Sequence, residues 1–335
     1  MGSEARKRAR ERIKEQREKE KKAAQRNKTL LVVGAAAAVV LLVVGIGYVV
    51  LSSDRGDDYE GELAQQTLQD DGSVVMGDGS VVTGDEGAEA PVVEVYADYQ
   101  CPACKQFEGL NGDTLKEMAA EGEATVQYHI VSIFAQQPAP TSSNSLRAAV
   151  AGRASADHGV FVEYNDVLFE NQPNSNEEGY SIDELEGWFG DLGVTDEQQA
   201  AFGERLEQED AVITEFTEEF VPALMSAAEE EIGQENLGTM VLPDLLAWGE
   251  DNGHDTSFLD GTYTGEIIDA TGTAYTRYSG ENAFRGTPSV YVNGELLDND
   301  DAMTVRGLTD TVEAAGPGQV ESEPADDTDD GGGAE

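Results

Sequence analysis

The sequence predicts an α/β domain enlarged by a long helical stretch and preceded by a single transmembrane helix. Three observations predict it. A 23-residue run without a charge separates a basic leader from an acidic remainder. A β-branched run leads into a helix, with a further strand after it and a hairpin near the C-terminal end. Residues 181–280 carry helical signals and no clear strand.

The 335 residues include 67 acidic and 21 basic side chains, a formal net charge of −46. That balance argues against a nucleic-acid binder, which needs a basic surface. Two cysteines exclude a disulfide-dense mini-protein and a cysteine-rich zinc module. With 39% hydrophobic residues the chain can build an ordinary core.

The charge is uneven. Residues 1–28 hold 12 Lys and Arg against 5 Glu, and the remainder holds 9 basic against 62 acidic residues. Between them lies Thr29–Leu51, which as a helix would span roughly 34 Å, enough for a bilayer core. The apolar run and its leader are longer than those of a secretory signal peptide, so an uncleaved anchor is expected. The basic flank places the N-terminus in the cytoplasm and everything after Leu51 outside it. Within the arm, Glu15 and Lys19, and Glu18 and Lys22, are spaced to pair along a helix.

Residues 52–71 read as an acidic linker, and 72–316 as the domain. The repeated GSVV at Gly72–Val75 and Gly79–Val82 fits a loose edge hairpin. Val92–Val95 reads as a buried strand, Cys101 to about Ala120 as a helix, and Thr125–Ile133 as a second strand. Ser143–Phe169 reads as helical and Pro173–Gly179 as a turn. Within the helical insertion, about 142–280, Leu185, Trp188, Asp191 and Gly193 recur as Leu245, Trp248, Asp251 and Gly253. Two separate amphipathic helices, each with an inward Trp and a C-terminal Gly, explain that echo equally well. Ser289–Leu297 is the best hairpin, because Asn293-Gly294 suits a type I′ turn. Thr304–Ala315 is a final helix, and 317–335 reads as a disordered acidic tail.

Both cysteines lie in Cys101-Pro102-Ala103-Cys104. As a structural staple so small a loop gains only ~2 kcal/mol, against ~4.7 for a 100-residue loop. As a metal site it supplies two of four ligands, and His129, His158 and His254 are scattered, so no metal is expected. As a redox dithiol it sits well. Strand–CxxC–helix places Cys101 at a helix N-terminus, where free N–H groups favour a thiolate. Cys104 falls one turn inside and suits the resolving role. Pro102 occupies the first turn, where its missing N–H costs nothing. Lys105, four residues after Cys101, would add a small cationic bias.

Tyr96-Ala97-Asp98-Tyr99-Gln100-Cys101-Pro102-Ala103-Cys104 resembles the active-site segment of the DsbA-like branch of thioredoxin-like oxidoreductases. Arg285-Gly286-Thr287-Pro288-Ser289-Val290-Tyr291-Val292-Asn293-Gly294 resembles the family's second motif. The resemblance covers roughly 72–315. It implies a thioredoxin-like fold, a cis bond at Thr287-Pro288 facing the dithiol, and a Thr287 backbone that pairs with extended substrate. Where many thioredoxin-like proteins carry a buried acid six residues before the first cysteine, this chain has Val95. The neighbouring Glu94 should face the other way, and Asp98 reads as a cap or turn at the strand end. Pro102-Ala103 also lacks the histidine of the most oxidising relatives. The stretch from about Tyr180 to Met240 is additional to a typical member.

The expected activity is thiol–disulfide exchange on exported, cysteine-containing proteins, as an oxidase assisting disulfide formation. It needs no organic cofactor and relies on an unnamed membrane redox partner. An extracytoplasmic reductase and a non-catalytic acidic binding domain are the alternatives. The acidic surplus, with only Lys105 and Lys116 as lysines after residue 28, fits a surface adapted to high salt, where repulsion is screened within ~3 Å at 1 M. Attraction of basic clients is the other explanation.

Overall fold

The computed structural model describes residues 59, 61–67, 75–84 and 89–320. Its first strand, Val81–Thr83 (β1), follows a turn at Gly79, and Val75 pairs back onto Val81 as the hairpin expectation requires. The apolar, β-branched Val92–Ala97 (β2) is buried along nearly its whole length. It is the central strand, pairing in parallel with Thr125–Ile130 (β3) and antiparallel with Ser289–Val292 (β4). β4 turns through Asn293 and Gly294, both at positive φ, into Glu295–Leu296 (β5). The mixed sheet runs β1-β3-β2-β4-β5.

Pro102–Glu121 (α1) is the crossover between β2 and β3. Its Phe107, Leu115 and Met118 join Val93 and Val95 in the main core. The opposite alternation sends Tyr96 into a second cluster with Ala274, Phe284 and Tyr291. Glu94 faces that side too. Its carboxylate accepts from Tyr278 Oη at 2.6 Å and lies 3.3 Å from His129 Nε2 and 3.5 Å from Arg277 Nη1. His129 is therefore buried beside this carboxylate.

Between β3 and β4 the chain is helical: Thr141–Ala156 (α2), Phe161–Glu170 (α3), Ile182–Asp191 (α4), Asp196–Thr214 (α5), a π-helical segment Glu215–Phe220, Val221–Ile232 (α6), Gln234–Leu237 (α7), Leu242–Asp251 (α8) and Tyr263–Arg277 (α9). Capping boxes at Ser181 and Thr195 set the starts of α4 and α5. Phe189 and Phe202 stack at 4.0 Å and join those helices to Tyr164 of α3. The echoed segments are α4 and α8, each ten residues long, each burying its Leu and each followed by a Gly at positive φ. Asn299–Ala302 (α10) and Val305–Ala314 (α11) close the fold, with Leu308 buried.

Four boundaries differ from the sequence reading. β3 stops at Ile130, because Val131 bonds to Ala97 and the chain then turns at 132–135. The helix expected over 143–169 is two helices, broken at a left-handed Gly159. Part of the expected linker is bound to the domain: Gln66 Nε2 donates to the Ala156 carbonyl, and its Oε1 accepts from Phe161 N–H. This side chain satisfies backbone groups at the α2–α3 break. At the other end, Gly318 N–H, within the segment expected as tail, donates to the Ala90 carbonyl at 2.9 Å. Among the described residues no helix is long and apolar enough to cross a membrane. The expected arm and span, 1–28 and 29–51, and residues 321–335 lie outside the described residues.

Candidate active site

Cys101 is the N-cap of α1, with φ −82° and ψ 115°. Pro102 is the first helical residue, and Cys104 N–H and Lys105 N–H both donate to the Cys101 carbonyl. Cys104 lies one turn in, 1% exposed, against 6% for Cys101. Both are free thiols. Cys101 Sγ bonds to the Thr287 carbonyl at 3.3 Å, and Thr287-Pro288 is cis. The two motifs, 186 residues apart, meet at this bond because β2 and β4 are antiparallel neighbours, so the end of β2 and the start of β4 bring Cys101 and Thr287 together at one end of these strands.

The electrostatics separate the two thiols. The Cys101 thiol is pulled down to about 6, chiefly by a hydrogen bond from Cys104, with Thr287 and the N–H groups of Cys104 and Ala103 adding to it against the cost of burial. The Cys104 thiol is pushed well up by burial and by the bond it gives to Cys101. Ala103 otherwise packs its methyl on the core. Lys105 does not serve as expected. Its ammonium bonds to the Glu170 carbonyl at 3.0 Å, drawn to the negative end of α3 and away from Cys101.

Asp98 is the residue that sequence reasoning undervalued. It is fully buried. Its carboxylate accepts from Gln100 N–H at 2.8 Å, Phe134 N–H at 3.2 Å and Ser145 Oγ at 2.9 Å. Ser145 Oγ in turn lies 2.6 Å from Ser132 Oγ. The Asp98 carbonyl accepts from Cys101 N–H. Burial pushes its carboxyl up to about 7, with the Cys101 thiolate adding to the shift against the hydrogen bonds that oppose it. An acid between a strand and a helix has the same sequence signature whether it caps a turn in water or is enclosed, so only the packing of α2 reveals it.

The helical insertion holds the loop that carries Cys101. Gln172 Nε2 donates to the carbonyls of Tyr99 and Cys101 at 2.7 and 3.0 Å. Tyr180 Oη reaches the Tyr99 carbonyl, and Tyr99 Oη donates to Asn165 Oδ1 at 2.8 Å. Gly152 leaves room for that ring: a Cβ there would stand 2.8 Å from Tyr99 Oη. Sequence reasoning found none of these supports, since each acts over more than fifty residues of separation. Thr287 Oγ1 is buried with no hydrogen-bond partner among the described residues. No group of His, Cys, Asp or Glu among those residues is arranged to hold a metal ion.

The strand–dithiol–helix unit, the cis-proline turn beside it and the mixed sheet define a thioredoxin-like domain. Residues 77–233 match the family described as thioredoxin. No curated protein matches the chain. Among solved structures it is similar to MdbA, a thiol-disulfide oxidoreductase from Actinomyces oris, at 18% identity and a TM-score of 0.48, over 72% of this chain and 90% of that one. It is also similar to MdbA from Corynebacterium diphtheriae, at 16% identity and a TM-score of 0.43, over 76% and 96%. BdbD from Bacillus subtilis aligns at 16% identity and a TM-score of 0.40, over 76% and 97%.

Proposed function

We propose that this protein is a thiol–disulfide oxidoreductase that forms disulfides in exported, cysteine-containing proteins. The observation that carries the reading is the asymmetry of the dithiol. Cys101 is the more exposed sulfur, sits at a helix N-terminus and is a stabilised thiolate, whereas Cys104 is buried and held as a thiol. In the oxidised enzyme a client thiolate attacks Cys101 Sγ. The Cys101–Cys104 bond breaks, a mixed disulfide forms, and Cys104 leaves with the electron pair and takes a proton. A second client thiolate then attacks the client sulfur of the mixed disulfide, and Cys101 leaves as a thiolate. The client has lost two electrons and the enzyme pair has gained them. A membrane redox partner accepts them and restores the disulfide. Thr287 and Pro288 form the wall along which the extended client lies, and Pro102 and Ala103 shape the turn under the reacting sulfur. No cofactor takes part.

A low thiol pKa favours the reduced enzyme and so makes its disulfide oxidising. Equilibration with glutathione is expected to give a potential nearer −120 mV than −270 mV, the values of about a strong oxidant and a reductase respectively. A value at the reductase end would reverse the direction of transfer. Failure to exchange at all would leave an acidic binding domain.

Residues 29–51 anchor the protein in the membrane, with the basic arm in the cytoplasm and the domain outside, on a surface adapted to high salt. Protease added to spheroplasts should digest the domain and spare the arm. Protection of the domain would reverse this topology.

A further inference from the structure

The two cysteines are held in different ways. Cys104 is inside α1, so the helix fixes its backbone. Cys101 is the N-cap, at φ −82° and ψ 115°, and the helix does not set its conformation. The turn Asp98–Cys101 sets it, closed by Cys101 N–H donating to the Asp98 carbonyl at 2.9 Å.

The segment that follows α3 braces this turn from outside. Gln172 Nε2 donates to the Tyr99 carbonyl at 2.7 Å and to the Cys101 carbonyl at 3.0 Å, so one amide spans Gln100. Gln100 bonds in the other direction: its Nε2 donates to the Pro173 carbonyl at 3.0 Å. Gln172 N–H donates to the Phe169 carbonyl at the end of α3, and the Phe169 ring packs 4.7 Å from that of Tyr99. The Cys101 carbonyl also accepts from Cys104 N–H and Lys105 N–H at 3.1 and 3.2 Å. A disulfide accepts only a narrow range of Cβ separations and orientations. Closing the Cys101–Cys104 bond therefore turns on the one cysteine whose backbone the helix leaves free.

We infer that Gln172 is a positioning residue for the intramolecular step, in which Cys104 Sγ attacks the Cys101 Sγ of a mixed disulfide. The inference rests on the proposed exchange activity. In that step Cys104 gives up its proton to solvent, the Cys101–Cys104 bond forms, the bond from Cys101 to its partner sulfur breaks, and the partner leaves as a thiolate. Gln172 touches no reacting atom. By fixing the Cys101 backbone it raises the effective concentration of Cys104 at that sulfur. The preceding bimolecular attack by the Cys101 thiolate needs no such register. Through this amide the helical insertion sets the balance between the mixed and the closed disulfide.

The test uses the reduced full-length protein, oxidised glutathione and Gln172→Met, which nearly matches the side chain in length and lacks its donors. Acid quenching and mass spectrometry separate dithiol, glutathione mixed disulfide and closed disulfide. Loss of dithiol reads the attack by Cys101, and conversion of mixed to closed form reads the attack by Cys104. In the variant the first rate should be unchanged. The second should fall about tenfold, and with it the glutathione concentration at which mixed and closed forms balance. That tenfold change moves the potential by about 30 mV in the oxidising direction. Equal slowing of both steps would give Gln172 a general structural role, and an unchanged second step would show that the turn holds without it; either result overturns the inference. Should Gln172→Met lose its cooperative melt, Gln172→Ser, which leaves room for water at the two carbonyls, carries the same expectations. If wild type forms neither the mixed nor the closed species, the exchange activity itself is absent, and this role falls with it.

Discussion

Cys104→Ser is expected to accumulate mixed disulfides with disulfide-bearing peptides, whereas Cys101→Ser should accumulate almost none. In the first variant the Cys101 thiolate still attacks, one peptide S–S bond breaks and an enzyme–peptide S–S bond forms. The thiol that would resolve it is gone. In the second, the remaining sulfur is 1% exposed and its thiol is pushed well up by burial. Little of it is thiolate at neutral pH, so its attack should be much slower than that of Cys101. Mass spectrometry after acid quenching reads both outcomes. Equal trapping by the two variants would remove the assignment of roles. Alkylation of Cys101 in the reduced wild type should follow a titration near pH 6, because its thiol is pulled down to about 6, mainly by Cys104.

Asp98→Asn should change both the reactivity of the pair and the pH dependence of stability. Asp98 and the Cys101 thiolate repel, so removing one negative charge lowers the Cys101 pKa further and makes the disulfide more oxidising. The stability effect has a definite sign. Burial holds Asp98 at about 7, above its ordinary 3.8, so between those values the folded state binds more protons than the unfolded one. Its contribution is fully present below about pH 4 and is lost as pH rises through about 7. One pKa unit corresponds to about 1.4 kcal/mol, so the loss is on the order of 4 kcal/mol. In Asp98→Asn this fall should vanish, while one backbone N–H left without an acceptor costs about 1–3 kcal/mol at every pH. Denaturant melts of both proteins at pH 4 and pH 8 measure the difference. A pH-independent offset alone would assign Asp98 a purely structural role, and an unmoved Cys101 titration would separate it from the dithiol.

The central strands, the α1 crossover and the hairpin at 289–297 were legible because their signals are local. β-branched runs, a proline at a first helical turn and an Asn-Gly pair act within a few residues. The same locality made the CPAC segment readable as a dithiol with unequal partners. Boundaries were less legible. Thr125–Ile133 looks uniform, but the pairing partner ends at Ala97, so β3 ends at Ile130. The break at Gly159 is stabilised by Gln66, ninety residues away from the carbonyl it binds.

What the sequence by itself determined is the chemistry on offer: two cysteines one helical turn apart, a Thr-Pro segment opening a strand, and an acidic domain with few cations. Tertiary structure alone decided how that chemistry is tuned. Burial of Asp98 under Ser145, the clamp of Gln172 and Tyr180 on the Tyr99–Cys101 loop, and the turn of Lys105 toward α3 all depend on groups distant in sequence. Desolvation and hydrogen-bond geometry depend on what encloses a group, and enclosure is a property of the packed chain that no window of residues contains.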